Sequence, residues 1–158
     1  MNSNACAFFA VFSLAIYGTN AISCNPSITE ALVNSTNCQT DVLQKLHAMS
    51  PLTAITLHKP DLEAAQQHFD LKCVNFQVDA PENNTSKAKF TIYHKTSEPN
   101  TVNYMQEESK CGLTVETYKD NKQFAVYFLK LDKVACYYRC PHGETKGPAI
   151  AGCLVPVA

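Results

Sequence analysis

The chain has 158 residues, 46% of them hydrophobic and 17% charged, with 13 Lys and Arg set against 14 Asp and Glu for a formal net charge of -1. Scattered Lys and Glu at this balance form no basic stripe for nucleic acid and no polybasic tail for an anionic membrane surface, so neither is an expected partner. The apolar content is enough for one cored domain, and no linker or internal repeat divides it.

The first segment is an apolar run from Ala5 to Tyr17 that ends in small residues around Thr19, Ala21 and Ser23, the pattern of a secretory leader. No Lys or Arg precedes Pro26, so the positive start is weak. The run is too short to span a bilayer and no later stretch is longer. The expectation is a signal peptide at residues 1–23, cleaved after Ala21 or Ser23, and a secreted, extracellular domain at 24–158.

Cleavage discards Cys6 and keeps Cys24, Cys38, Cys73, Cys111, Cys136, Cys140 and Cys153. In an oxidising compartment these give three disulfides and one leftover thiol, an odd count that also permits an intermolecular bridge. Asn34, Asn83 and Asn84 begin N-x-[ST] sequons in polar stretches that read as surface turns, which makes a glycan the expectation. The sequons at Asn83 and Asn84 overlap, so only one of them is expected to be used.

After the leader the chain reads as short helical pieces. Ser27 with Glu30 fits a capping box after Pro26, and Thr40 or Asp41 is placed to cap a segment with Leu43, Leu46 and Met49 on one face. Pro51 stops that segment. Residues Asp61 to Phe69 place Leu62, Ala65 and Phe69 at helical spacing, one or two turns inside a connection.

Strands account for the rest: Leu52 to His58, Lys72 to Asp79, Ala88 to Lys95, Thr101 to Gln106, Gly112 to Tyr118, Gln123 to Leu131, Val134 to Arg139 and Ile150 to Val157. Val74, Phe76 and Val78 alternate with Asn75, Gln77 and Asp79, which buries one face and wets the other. Short polar turns such as Pro81 to Ser86 and Lys119 to Lys122 join them hairpin by hairpin. Eight strands in this order suit an antiparallel up-and-down barrel enclosing one small ligand. A β-sandwich, or a curved sheet packed on a helix, is the alternative the pattern leaves open.

Three stretches carry a family resemblance. Asp41-Val-Leu-Gln-Lys-Leu followed by a strand and then by His68-Phe69-Asp70-Leu71-Lys72-Cys73-Val74 resembles the opening of the tick salivary lipocalins, the histamine-binding-protein-like family. Lys87-Ala88-Lys89-Phe90-Thr91-Ile92-Tyr93 looks like that family's third strand, and Ala125 to Cys136 like the strand and turn before a disulfide-forming Cys. The match runs from about Asp41 to Cys153. It implies an eight-stranded lipocalin barrel with a short N-terminal helix, and a role in sequestering host mediators. The family closes a C-terminal Cys onto the position of Cys73, which here makes Cys153 the expected partner. Cys136 is expected to pair within the C-terminal third or with Cys111. Two departures stand out: the acids that the amine-binding members carry after their late cysteines are replaced here by Tyr137 after Cys136 and by Leu154, Val155 and Pro156 after Cys153, and the family's C-terminal helix has no counterpart.

Chemistry-bearing motifs are sparse. The chain has no G-x-S-x-G, no H-E-x-x-H, no phosphate loop and no thiol-protease signature, so no enzyme and no cofactor is expected. Its five His share no ligand spacing. Cys136-Tyr-Tyr-Arg-Cys140-Pro-His142 contains three zinc-type ligands, but a disulfide staple is the better reading for secreted cysteines, and no metal is expected. Ligand binding rests on strand aromatics, with Phe90, Tyr104, Phe124, Tyr127, Phe128 and Tyr138 as candidates for an apolar cavity. Glu116 facing inward would imply a cationic ligand, and Arg139 facing inward a carboxylate-bearing one. Strand parity alone does not decide, because a one-residue slip reverses every side chain. With the amine-binding acids missing, the favoured ligand is an amphipathic lipid mediator such as an eicosanoid or fatty acid. The alternatives are a biogenic amine such as histamine or serotonin, and a barrel that acts through its outer surface on a host protein such as a complement component. A cystatin-like inhibitor is disfavoured by the absence of a Gln-x-Val-x-Gly loop.

Overall fold

The computed structural model describes residues 24–34, 38–55 and 70–157. The expected leader and the helical turns expected within 61–69 lie outside them. Two helices, α1 (Pro26–Val33) and α2 (Val42–Met49), precede eight strands: β1 (Leu52–Ile55), β2 (Leu71–Val78), β3 (Thr85–His94), β4 (Asn100–Glu108), β5 (Leu113–Tyr118), β6 (Gln123–Leu131), β7 (Ala135–His142) and β8 (Ile150–Pro156). Each strand pairs antiparallel with the next, and β8 returns to pair with β1 through Leu52↔Pro156 and Ile55↔Cys153. The result is a closed, lipocalin-like, eight-stranded barrel.

Period-two alternation explains why the sheet curls around one core. On β5, Thr114 and Glu116 are buried while their neighbours are half-exposed. On β4 Tyr104 and Gln106 are buried between exposed Asn103, Met105 and Glu107. Such a face hides one side from water and leaves the other wet, and closure removes both sheet edges.

One end of the barrel is plugged by α2. Val42, Leu43 and Leu46 are its buried face, packed with Leu52, Val78, Leu131 and Leu154. Each such side chain contributes about 2 kcal/mol on burial. Polar bonds fix the plug's position. The Glu108 carboxylate at the end of β4 accepts the Val42 and Leu43 N–H groups at 2.8 and 3.0 Å. His47 Nδ1 donates to the Val78 carbonyl at 2.9 Å, and Ser50 Oγ accepts the Val78 N–H at 3.0 Å. Cys38–Cys111 ties the segment before α2 to the β4–β5 turn. That turn passes so close that a Cβ on Gly112 (φ +75°) would meet the Phe128 carbonyl oxygen and Gln39 Cβ at 3.0 Å, leaving glycine as the residue that fits.

One expected helix cap needs correction and the other holds in position only. Asn25, not Ser27, caps α1: its Oδ1 accepts the Ser27 N–H at 3.0 Å, because Pro26 already takes the first helical position. Asp41 holds the cap position of α2 with a left-handed backbone (φ 55°) and makes no capping bond, while the Thr40 hydroxyl donates to Asp41 rather than capping the helix. Glu108 satisfies those N–H groups instead.

The disulfide pairing also differs from the expectation. Cys153 is bonded to Cys136, its register partner across β7 and β8 with Cα atoms 4.0 Å apart, so the anticipated Cys73–Cys153 bond is not formed. Cys24 bonds Cys140, fastening the start of α1 to the outer face of β7. No described cysteine is free, and no leftover thiol is found among them. Asn83 and Asn84 form the exposed tip of the β2–β3 turn, both at positive φ (49° and 64°) between the bridged Glu82 and Thr85, as a two-residue hairpin turn requires. Asn34 is the exposed C-cap of α1.

Candidate ligand cavity

The strands enclose a cavity of about 220 Å³. Its floor is Leu46 of the α2 plug with Leu52 and Leu154, and its walls include Val74, Phe76, Phe90 and Phe128. Inward-facing rings form a belt across five consecutive strands: Phe76 to Phe90 at 6.0 Å between centroids, Phe90 to Tyr104 at 6.1 Å, Tyr104 stacked on Tyr118 at 5.1 Å, and Tyr118 edge-on to Phe124 at 5.8 Å. Phe76 and Phe90, like Tyr104 and Tyr118, are register partners, so cross-strand pairing itself brings the rings together.

A polar cluster interrupts this lining on the β5–β7 wall. Arg139 Nε donates to Glu116 Oε2 at 2.8 Å. The Tyr118 hydroxyl donates to the same oxygen at 3.0 Å and accepts from Arg139 Nη2 at 3.2 Å. The triangle is closed on one side by Phe124, whose ring centre lies 3.5 Å from the guanidinium carbon. Tyr118 is the last residue of β5, which places the cluster toward the end of the barrel away from α2. Both ions are largely buried, with side chains 19% and 8% exposed, so each depends on the other.

Electrostatics follow from this burial. Burial, with the Glu116 carboxylate adding to it, pushes the Tyr104 and Tyr118 phenols well above their ordinary value, and Tyr137 up to about 12. Burial pulls Arg139 down, but Glu116 and Tyr118 more than offset it and leave the guanidinium above its usual value. The phenols therefore stay neutral and the guanidinium charged at physiological pH.

Of the residues singled out in the sequence, Phe90, Tyr104, Glu116 and Arg139 line the cavity together. Phe128 lines it too, and Phe124 packs behind Arg139. Tyr127 and Tyr138 do not. They are register partners on the outer face of β6 and β7, where the Tyr138 hydroxyl accepts the Asn25 N–H at 3.3 Å and Tyr127 borders a surface groove beside Cys24 and His142. In each of the pairs Tyr127-Phe128 and Tyr137-Tyr138 only one ring can face inward, and it is Phe128 and Tyr137. Glu116 and Arg139 both face in and neutralise each other, so neither of the charge-based implications drawn from them alone applies. Cys136 and Cys140 are committed to separate disulfides, and no three His, Cys, Asp or Glu side chains gather for a metal among the described residues.

Sequence reasoning put Phe76 on a buried face without naming it as a ligand contact, and missed Gln106, Tyr118 and Tyr137. A signal for two of them was present, since Phe76, Phe90, Tyr104 and Tyr118 recur at a constant spacing of one hairpin. Gln106 carried none, because a lone amide on a strand reads as solvent-facing.

No family model, curated protein or solved structure matches the chain. The likeness to tick salivary lipocalins accordingly rests on the residue spacing set out above. The barrel and its interior carry the functional reading.

Proposed function

We propose that this protein is a secreted carrier that sequesters one compact amphipathic molecule inside its barrel. The observation that carries the reading is the cavity itself: apolar walls, one polar cluster, and a floor sealed by α2. Three disulfides between described residues and the apolar leader support work in an oxidising, extracellular setting. The resemblance to salivary lipocalins suggests a host mediator of inflammation or haemostasis as the cargo.

Size and charge refine what that cargo is. Pockets for drug-sized ligands run from roughly 300 Å³ upward, so a cavity of about 220 Å³ suits a ring with a short side chain. A long-chain eicosanoid or fatty acid would leave part of its chain outside, and its carboxylate would have to take Arg139 from Glu116. A biogenic amine fits by size, but the carboxylate it needs is already bonded to Arg139.

Native mass spectrometry of the refolded, disulfide-intact protein after exposure to host plasma extract tests the reading. A bound mass of a few hundred daltons or less, displaced on denaturation, is the expected result. Recovery of a protein partner with an empty barrel would replace it with the surface-acting alternative.

A further inference from the structure

Resting on the carrier reading, we infer that the ligand held here is an uncharged ring compound whose polar group, a hydroxyl or its like, pairs with the amide of Gln106. Gln106 is 3% exposed, faces the cavity, and is the register partner of Glu116. Its Oε1 is buried with no hydrogen-bond partner. A primary amide in an apolar wall whose buried oxygen has no partner is a cost to the fold that a ligand removes. A hydroxyl serves whichever way the amide is turned, since it both donates and accepts. Both charged groups of the wall are already used: Glu116 and Arg139 form, with Tyr118, a closed, net-neutral triangle. An ammonium or a carboxylate entering beside it would have to break that triangle or stay uncompensated among aromatic rings. An uncharged molecule makes no such demand. The flat faces of the stacked Tyr104 and Tyr118, 5.1 Å apart and next to Gln106 and Glu116 on β4 and β5, favour a ring as the apolar body. The second buried orphan, Thr114 Oγ1, does not line the cavity and takes no part.

The test is a set of four probes sharing one ring system: naphthalene, 2-naphthol, 2-naphthoate and 2-naphthylmethylamine. The chain contains no Trp, so the fluorescence of each probe is read against a tyrosine background only. Naphthalene is expected to bind weakly, 2-naphthol at least about tenfold more tightly, and both charged probes no better than naphthalene. Gln106→Leu is expected to bring 2-naphthol down to the affinity of naphthalene while naphthalene itself still binds, which also reports that the variant is folded. A charged probe equal to or tighter than 2-naphthol, or a 2-naphthol advantage that survives Gln106→Leu, would overturn the inference and leave the carrier reading standing. Should Gln106→Leu fail to fold, the ranking of the four probes on the unaltered protein decides alone. If none of the four binds, naphthalene included, the carrier reading itself falls.

Discussion

The two ends of the barrel are built on opposite terms. At the α2 end, Leu43, Leu46 and Leu52 are almost completely buried and three polar side chains hold the plug: Glu108 on the helix N-terminus, His47 and Ser50 on Val78. Toward the other end, Ile92 and Ile150 are only half-buried and an ion pair with a bridging phenol stands in the wall. An apolar plug with long-range anchors maximises stability, whereas a charged pair set among rings is weak support for the fold. The difference separates what holds the barrel together from what gives its interior a chemical identity.

Removing an anchor of the plug should break that comparison most visibly. The Cys38–Cys111 bond closes a loop of 73 residues, and replacing both cysteines by Ser should cost about 4 kcal/mol in urea unfolding, with the plugged end opening first in hydrogen exchange. Arg139→Ala, at the other end, should cost about 3 kcal/mol by stranding Glu116. Most of that loss should return in the double variant Arg139→Met with Glu116→Leu, and a double variant no better than the single would mean the pair is a net support after all. Glu108→Ala deprives α2 of its cap and should cost about 1 kcal/mol, leaving probe binding within the cavity nearly unchanged. The smallest effect near neutrality is the tyrosine titration. A phenol whose pKa is higher folded than unfolded contributes stability that is complete below about 10 and is lost as pH rises through the folded value. For Tyr137 the window runs from about 10 to about 12, and Tyr104 and Tyr118 extend it upward. Spectrophotometric titration should show a late group of phenols that ionises only with unfolding, and Tyr137→Phe should shrink it.

Much of the barrel was legible because period-two patterning is local. Each of the eight strand expectations overlaps an observed strand, and the run Val74, Phe76, Val78 identifies the inner face of β2 directly. What failed needed knowledge from elsewhere in the chain. Glu108 caps a helix 66 positions earlier, and nothing around Asp41 announces it. Tyr127 and Tyr138 were placed inside by the company they keep, but β6 has an irregularity between Phe128 and Lys130, and adjacent aromatics give no local clue to parity. Glu116 and Arg139 were each noticed, yet their mutual neutralisation across β5, β6 and β7 is a property of the closed barrel that neither strand carries by itself.

The pairing of β1 with β8 makes closure of the barrel the most sequence-distant contact in the sheet. Leu52–Ile55 is the shortest strand among the described residues, and its neighbour on one side lies about a hundred residues further along the chain. Without β8, β1 and β7 would each present an unpaired edge, and the cavity between them would be an open trough of aromatic and aliphatic side chains. β8 therefore does two jobs: it closes the sheet, and it covers an apolar surface that would otherwise face water, with the Cys136–Cys153 bond tying it to its neighbour.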